Sequence, residues 1–315
     1  MEKAKIDVAV LLLFFARPEQ TAKVFEQIKI ARPSKLFLYQ DGAREGRTDD
    51  VAGVKACRRI VENIDWECEV HRMYQEKNYG CDPSEYISQK WMFSIVDKGI
   101  ILEDDDVPSQ SFFPFCKELL DKYEDDNRIA MICGMNHCDQ IESQYDYTFV
   151  QQRGPIWGWA TWKRFIDTWD PTYEWMDNKE ILKVLKRNGP FFDYRLEILK
   201  KNRLSNVEHY EDFVYITRYL YNQLAIIPTK NLISNIGLTP NATHCSMTLK
   251  DLPPKGRKMY YKKTYSYKFP LVHPTYIIRN LCMEDSIEEA MHYGWKEKIF
   301  LFFKKIVKFY YRVRG

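Results

Sequence analysis

The chain has 315 residues, 45% of them hydrophobic, 15% aromatic and 29% charged, which is enough apolar material for a sizeable core. This composition excludes a disordered chain, a collagen and a small disulfide scaffold. The net charge of +3 hides an asymmetry, because residues 250–315 carry 15 Lys/Arg against 6 Asp/Glu while residues 1–249 carry 32 against 38. An acidic body with a basic end is unlike a nucleic-acid binder, whose cations cover the folded domain itself; the end is expected to have its own partner.

The apolar start, Val8–Phe15, contains no cleavage pattern; Asp7 precedes it and Ala16 runs into Arg17-Pro18-Glu19, so it reads as a buried first strand and not a signal peptide. Pro18 opens a helix over Thr21–Ala31 with Val24, Phe25 and Ile28 on one face. Lys35–Tyr39 is a second strand ending at Gln40-Asp41-Gly42, followed by a charged helix near Asp49–Ile64 and a third strand over Cys68–Met73. Asn78-Tyr79-Gly80 makes a turn before a helix over Pro83–Asp97, and Ile100–Leu102 is a short buried strand. Phe112–Tyr123 is amphipathic and Ile129–Cys133 is again strand-like. Strands spaced by helices of this length imply βαβ units and a mostly parallel central sheet flanked by helices, an α/β fold.

After residue 136 the pattern changes. Residues 145–176 contain five of the eight tryptophans, and helices follow near 178–187, 190–202 and 211–222, then a strand at Ala225–Ile227 and a loop-rich stretch to about 275. We divide the chain into 1–140 and 141–249, two halves of one domain, and 250–315, a basic extension. Eight scattered cysteines lack any CxxC pair, which disfavours a zinc ribbon and suits a reducing compartment. No run reaches the ~18 apolar residues of a membrane span.

The sharpest local feature is Glu103-Asp104-Asp105-Asp106, directly after Gly99–Leu102. Four acids at the C-terminal end of a buried strand stand where open α/β sheets bind ligands. Adjacent carboxylates repel unless a cation neutralises them, and oxygen ligands suit Mg²⁺ or Mn²⁺; a solvated turn preceding the next helix is the plain alternative. A haloacid-dehalogenase-type phosphatase needs DxDx[TV], and here Pro108 stands at the last place. A sugar-phosphate nucleotidyltransferase needs a Gly-rich loop after strand one, where this chain has Arg17-Pro18-Glu19. Strand, acidic cluster and upstream pocket fit a DxD-type nucleotide-sugar transferase. Trp157-Gly158-Trp159 offers aromatic faces on which a sugar acceptor could stack, so Trp157 and Trp159 are candidate acceptor-binding residues.

Ala16–Thr21, Asp65–Val70, Asn78–Cys81, Ile101–Pro108, Gly158–Arg164 and Asn231–His244 follow one another in a pattern that resembles the GT-A glycosyltransferases related to N-acetylglucosaminyltransferase I. The likeness is closest to bacterial relatives carrying "NRPEQT", "DWxCEV", "NxGC", "ILEDDCVP", "GWATWxR" and "NLxxNIGxxxxATH". It covers roughly residues 8–245 and leaves out the end of the chain. It implies the GT-A (nucleotide-diphospho-sugar transferase) fold, a UDP-sugar donor and Mn²⁺ or Mg²⁺. By position it implies Asp105 as metal ligand, Asp104 on sugar or ribose hydroxyls with Glu103 beside it, Asp41 at the uridine and Arg17 near the diphosphate. His244 matches a late residue that completes the metal shell in several GT-A enzymes. Relatives carry Trp-Asp-Tyr-Gln-Trp at a helix start where this chain has His209-Tyr210-Glu211-Asp212-Phe213. That match implies Asp212 as the base of an inverting transfer, with Glu211 as the reserve.

At 100° per residue, Trp295–Val313 sorts into an aromatic-aliphatic face and a face of Lys298, Lys304, Lys305, Lys308 and Arg312. Such a C-terminal amphipathic helix lies on an anionic membrane surface. The expectation is a cytoplasmic enzyme, peripheral at the inner face of the cell membrane, moving a sugar from a UDP-sugar to a glycan acceptor that is free or lipid-linked, with no nucleic-acid partner. The alternatives are a Mg²⁺-dependent nucleotidyltransferase or phosphohydrolase, and a non-catalytic membrane-associated binding protein of the same fold.

Overall fold

A computed structural model describes residues 1–152, 154–188, 190–238, 249 and 252–291; His244 and the expected helix over 295–313 lie outside them. The chain begins with β1 (Ile6–Phe14), α1 (Pro18–Ala31), β2 (Pro33–Gln40), α2 (Thr48–Val61), β3 (Glu69–Tyr74), α3 (Cys81–Phe93) and β4 (Lys98–Glu103). Its four strands are parallel and lie in the order β3-β2-β1-β4. The apolar run of β1 places Val8, Val10, Leu12 and Phe14 in one core and Ala9, Leu11 and Leu13 in the other, as the two-residue period of a strand buried on both faces requires. Pro18 stands in the first turn of α1, whose Val24, Phe25 and Ile28 enter the first core, and Arg32 ends the helix in the left-handed region at φ 48°.

The second half contributes β5 (Asp106–Pro108), α4 (Phe112–Lys122), β6 (Ile129–Cys133), β7 (Tyr147–Val150), β8 (Trp159–Trp162), α5 (Lys163–Ile166), α6 (Lys179–Leu185), α7 (Pro190–Arg203), α8 (Tyr210–Leu220), β9 (Leu224–Pro228) and β10 (Ile233–Asn235). They extend the sheet to eight strands, β3-β2-β1-β4-β8-β6-β9-β7, while β10 pairs with β5 in a two-stranded clasp. This is a mixed α/β fold with a large central sheet between helices. The expectation of a mostly parallel sheet holds narrowly: β8 runs antiparallel to β4 and β6, and β7 to β9, so four of seven neighbouring pairs are parallel and three antiparallel. The tryptophan-rich stretch is no open loop, since Trp159 and Trp162 point from β8 into opposite cores.

The stretch from 252 to 291 is built into the body and does not hang from it. Tyr267 and Leu271 lie in the first core. The last two helices are α9 (Pro254–Arg257) and α10 (Leu281–Met291), and Met283 and Ile287 of α10 lie in the second core. The Tyr267 hydroxyl accepts a hydrogen bond from the Lys230 N–H at 2.6 Å. Among the described residues no helix is long and apolar enough to cross a membrane. Replacing Ile287, 1% exposed, by Ala should cost about 2–5 kcal/mol in a urea unfolding curve. A cost below about 0.5 kcal/mol, typical of a surface site, would mean that this stretch is appended after all.

Candidate functional site

From β1 the chain adds β2 and then β3 on one side, and afterwards returns to place β4 on the other side of β1. Connections that leave neighbouring strands in opposite directions open a crevice at the strands' C-terminal ends. A cavity of about 400 Å³ lies there, lined by Phe15 and Arg17 after β1, Asp41 after β2, Glu103 and Asp104 after β4, and Cys81, Ser84 and Glu85 of α3.

Arg17 holds the acids together. Its Nη2 pairs with Asp104 Oδ1 and lies 2.8 Å from Asp105 Oδ2. Burial works to lower the pKa of this guanidinium, but the two carboxylates outweigh it and raise the pKa. Asp104 also accepts the Phe15 N–H at 3.3 Å. Asn235 of β10 donates from Nδ2 to Asp105 Oδ1 and to Asp106 Oδ1, each at 3.0 Å. Asp106 faces away from the cavity, accepting the Gly158 N–H at 2.7 Å, and is fully buried. Gly237 leaves the space that Asp105 occupies; a Cβ there would stand 2.0 Å from Oδ2.

Burial drives the carboxyls of Glu103 and Asp106 well above the usual carboxylate range, and neighbouring acids add to the shift. Asp105 is raised by burial against the opposing pull of Arg17. Glu85, which accepts from Gln89 Nε2 at 2.9 Å, is pushed up to about 8 by burial and, further, by Asp106, Asp82 and Asp105. Hard oxygen donors in excess of the cation beside them suit a divalent ion such as Mg²⁺ or Mn²⁺. Among the described residues no group of three or more His, Cys, Asp or Glu is placed to hold a metal ion. Mg²⁺ is commonly held by one or two carboxylates together with phosphates of its substrate. Glu103 lines the cavity with such a donor, and Asp105, engaged through Oδ2 by Arg17 and through Oδ1 by Asn235, would have to release one of them to join it.

Asp41 is 6% exposed, and both its oxygens serve the chain. It accepts the N–H groups of Gly42, Tyr79 and Gly80 at 2.9 Å and Asn78 Nδ2 at 2.8 Å, fixing the 78–80 turn as one wall of the cavity. Burial raises its carboxyl pKa against these bonds.

A second cavity of about 270 Å³ is lined by Trp157, Glu211, Arg195 and Arg218 among others. Tyr210, in the first turn of α8, is buried, and its hydroxyl pKa is driven well up by burial and then by Glu103, Glu85 and Glu211. Of the two expected bases, Glu211 lines this cavity and Asp212 does not. Asp212 is 1% exposed and accepts from Tyr173 Oη at 3.1 Å, Arg195 Nη2 at 3.1 Å and Asn202 Nδ2 at 2.7 Å. Those bonds tie α8 to α7 and to the turn before α6, which is a structural use of the acid. Trp157 lines the cavity with its ring 5.3 Å from that of Tyr260. Trp159, expected as an acceptor platform, is 1% exposed within β8 and presents no face. Glu85, Asn235 and Gly237 were missed as site residues, although Asn235-Ile236-Gly237 stands inside one of the six sequence motifs.

No protein-family model matches the chain, and no curated protein does. Among solved structures it is similar to that of the inositol-1-phosphate CTP transferase from T. maritima, with a TM-score of 0.31 and 10% identity over 53% of this chain and 74% of that one. That likeness is too slight to bear on activity.

Glu85 has a pH signature. A carboxyl raised from 4.5 to about 8 on folding binds a proton in the native state that the unfolded chain has released, so its contribution to stability falls as pH rises through that interval. Glu85→Gln, measured in chelator, should raise Tm by ~2 °C or more at pH 8 and leave it nearly unchanged at pH 4.5. An equal shift at both pH values would show that the Glu85 carboxyl does not titrate in this range.

Proposed function

We propose that the chain is a metal-dependent glycosyltransferase of the GT-A fold, moving a sugar from a UDP-sugar to a glycan acceptor. One observation carries the reading: a carboxylate-rich cavity opens at the switch point of the sheet, and a second cavity holds a carboxylate together with a tryptophan face. The ordered motifs that resemble the relatives of N-acetylglucosaminyltransferase I support it, since four of them supply Arg17, Glu103–Asp106, Gly158 and Asn235–Gly237.

In this reading the donor lies in the larger cavity, its nucleotide against the turn that Asp41 holds and its diphosphate toward Arg17. Asp105 with Glu103 would hold Mn²⁺ or Mg²⁺, which would supply Lewis-acid stabilisation of the departing nucleoside diphosphate. His244 is retained as a proposed further ligand from the sequence pattern. Asp104, buried beside Arg17, orients hydroxyls of the donor. Glu211 is the proposed base: it takes the proton of the acceptor hydroxyl as that oxygen forms its bond to the anomeric carbon, while Asp212 keeps α7 and α8 in place. The basic amphipathic stretch over 295–313 would hold the enzyme at an anionic membrane, which suits a lipid-linked acceptor.

Hydrolysis of UDP-sugars in Mn²⁺ tests the reading without knowledge of the acceptor. Release of UDP and free sugar is expected, lost in Asp105→Asn and slowed about 10²–10⁴-fold in kcat in Glu211→Gln with UDP affinity unchanged. Asp212→Asn should instead lower Tm. Release of inorganic pyrophosphate from a nucleoside triphosphate and a sugar phosphate, in place of UDP-sugar cleavage, would replace this reading with nucleotidyl transfer.

A further inference from the structure

Arg218 is an anomaly in the second core. It sits in α8, 2% exposed, among the largest fully buried side chains of the protein. Its Nε donates to the Val214 carbonyl at 3.0 Å within the same helix, whereas Nη1 has no hydrogen-bond partner among the described residues. Among those residues no carboxylate forms an ion pair with it, the nearby Glu284 being paired with Arg279 at 2.7 Å. Burial pulls this guanidinium below its ordinary value, yet an arginine stays charged at neutral pH. A buried cation without a counter-charge is costly, and a ligand that carries the counter-charge removes that cost.

The surroundings are open to such a ligand. Arg218 lines the 270 Å³ cavity, and Gly154 stands before its Nη1, where a Cβ would come within 2.6 Å. A second guanidinium lines the same space: Arg195 of α7 gives Nη2 to Asp212, leaves Nε without a hydrogen-bond partner among the described residues and lies 5.2 Å from the centre of the Tyr215 ring. Glu211, Val214, Tyr215 and Arg218 recur at the three- and four-residue spacing of one helix face, so Glu211 and Arg218 mark the two ends of the cavity wall about 10 Å apart along the axis. Trp157 lies in the same wall system and offers a flat apolar surface.

We propose that this cavity is an oxyanion subsite for the acceptor, in which Arg218 and Arg195 bind a carboxylate or a phosphate carried by the glycan while its sugar rests against Trp157. The inference deepens the transferase reading and rests on it for the word acceptor; the anion site itself does not. It also gives Asp212 a task as a positioning residue, since its bond to Nη2 fixes the guanidinium of Arg195. Guanidinium groups match planar and tetrahedral oxyanions through paired N–H donors, so either source of charge would be held.

The test is calorimetric titration of the full-length chain, without divalent cation, using glucuronic acid, inorganic phosphate and, as the neutral match, glucose. Glucuronate is expected to bind at least tenfold more tightly than glucose if the anion is a sugar carboxylate, and phosphate alone to show that advantage if it belongs to a phosphorylated or diphosphate-linked acceptor. Arg218→Met should abolish the preference. Because that substitution removes a buried side chain, Ile156→Trp provides a second variant that fills the cavity and leaves Arg218 in place; it should abolish the preference as well. UDP binding in Mn²⁺ should be unchanged in both variants. Equal binding of all three probes by the wild type, or a preference that survives Ile156→Trp, would overturn the subsite. Absence of UDP binding with the anion preference intact would overturn the nucleotide-sugar reading alone.

Discussion

Four successive acids leave the end of β4 for the protein interior, and each needs a separate answer to the cost of burying charge. Asp104 is answered by Arg17 and the Phe15 N–H, Asp105 by Arg17 and Asn235, and Asp106 by Asn235 and the Gly158 N–H. Glu103 meets another acid, Glu85, and both carboxyls rise in pKa. The start of α1, the entrance to β8 and the end of β10 thus converge on one tetrapeptide. Removing one partner leaves a buried charge uncompensated, which is far more damaging than losing an exposed ion pair. The geometry of the crevice is in this sense an electrostatic construction on top of a hydrophobic one.

The small clasp of β5 and β10 is the device that makes it hold. Pairing Asn235 with Asp106 across the clasp brings one side-chain amide to two carboxylates at once. Asn235 Oδ1 accepts the Gly237 N–H at 2.9 Å, so the same amide also shapes the turn that lets Asp105 pass. Gly158, at φ 60°, adopts a left-handed conformation that favours glycine and gives its N–H to Asp106. Gly158 and the Asn235-Ile236-Gly237 stretch are therefore largely about placing carboxylates.

This division explains what could be read in advance. The parallel half was legible because its strands are unbroken apolar runs and its helices carry one apolar stripe, two periods that rarely mimic each other. The antiparallel half was not, since β7 and β8 have four residues each and a four-residue apolar segment has no period to detect. Trp157 and Trp159 looked alike in sequence but differ by the point at which the sheet begins: Trp157 precedes β8, and Trp159 opens it. Glu211 and Asp212 are separated by one helical step of about 100°, enough to send one toward a cavity and the other into a helix interface. The roles attached to Arg17 and Asp41 came from motif positions alone, which say nothing of the bonds these side chains make within the chain. The basic stretch after 250 looked like an extension because net charge was its strongest signal, although Tyr267, Leu271, Met283 and Ile287 are the residues that anchor it.

The charge pattern across α8 follows from the same physics. The first cavity lines its acids with Arg17, Arg44 and Arg47, so in the proposed reading a diphosphate would enter it against these cations together with a metal ion. The second cavity presents guanidinium groups and one carboxylate. Were it acidic throughout, an anionic acceptor would meet repulsion there as well. Arg195 lines the same cavity as Glu211, and Arg218 stands at the far end of the helix face, about 10 Å along the axis. A buried arginine with no carboxylate partner among the described residues then suits the proposed subsite, because it recognises the acceptor's charge at a distance from the proposed base and leaves the two tasks at opposite ends of one wall.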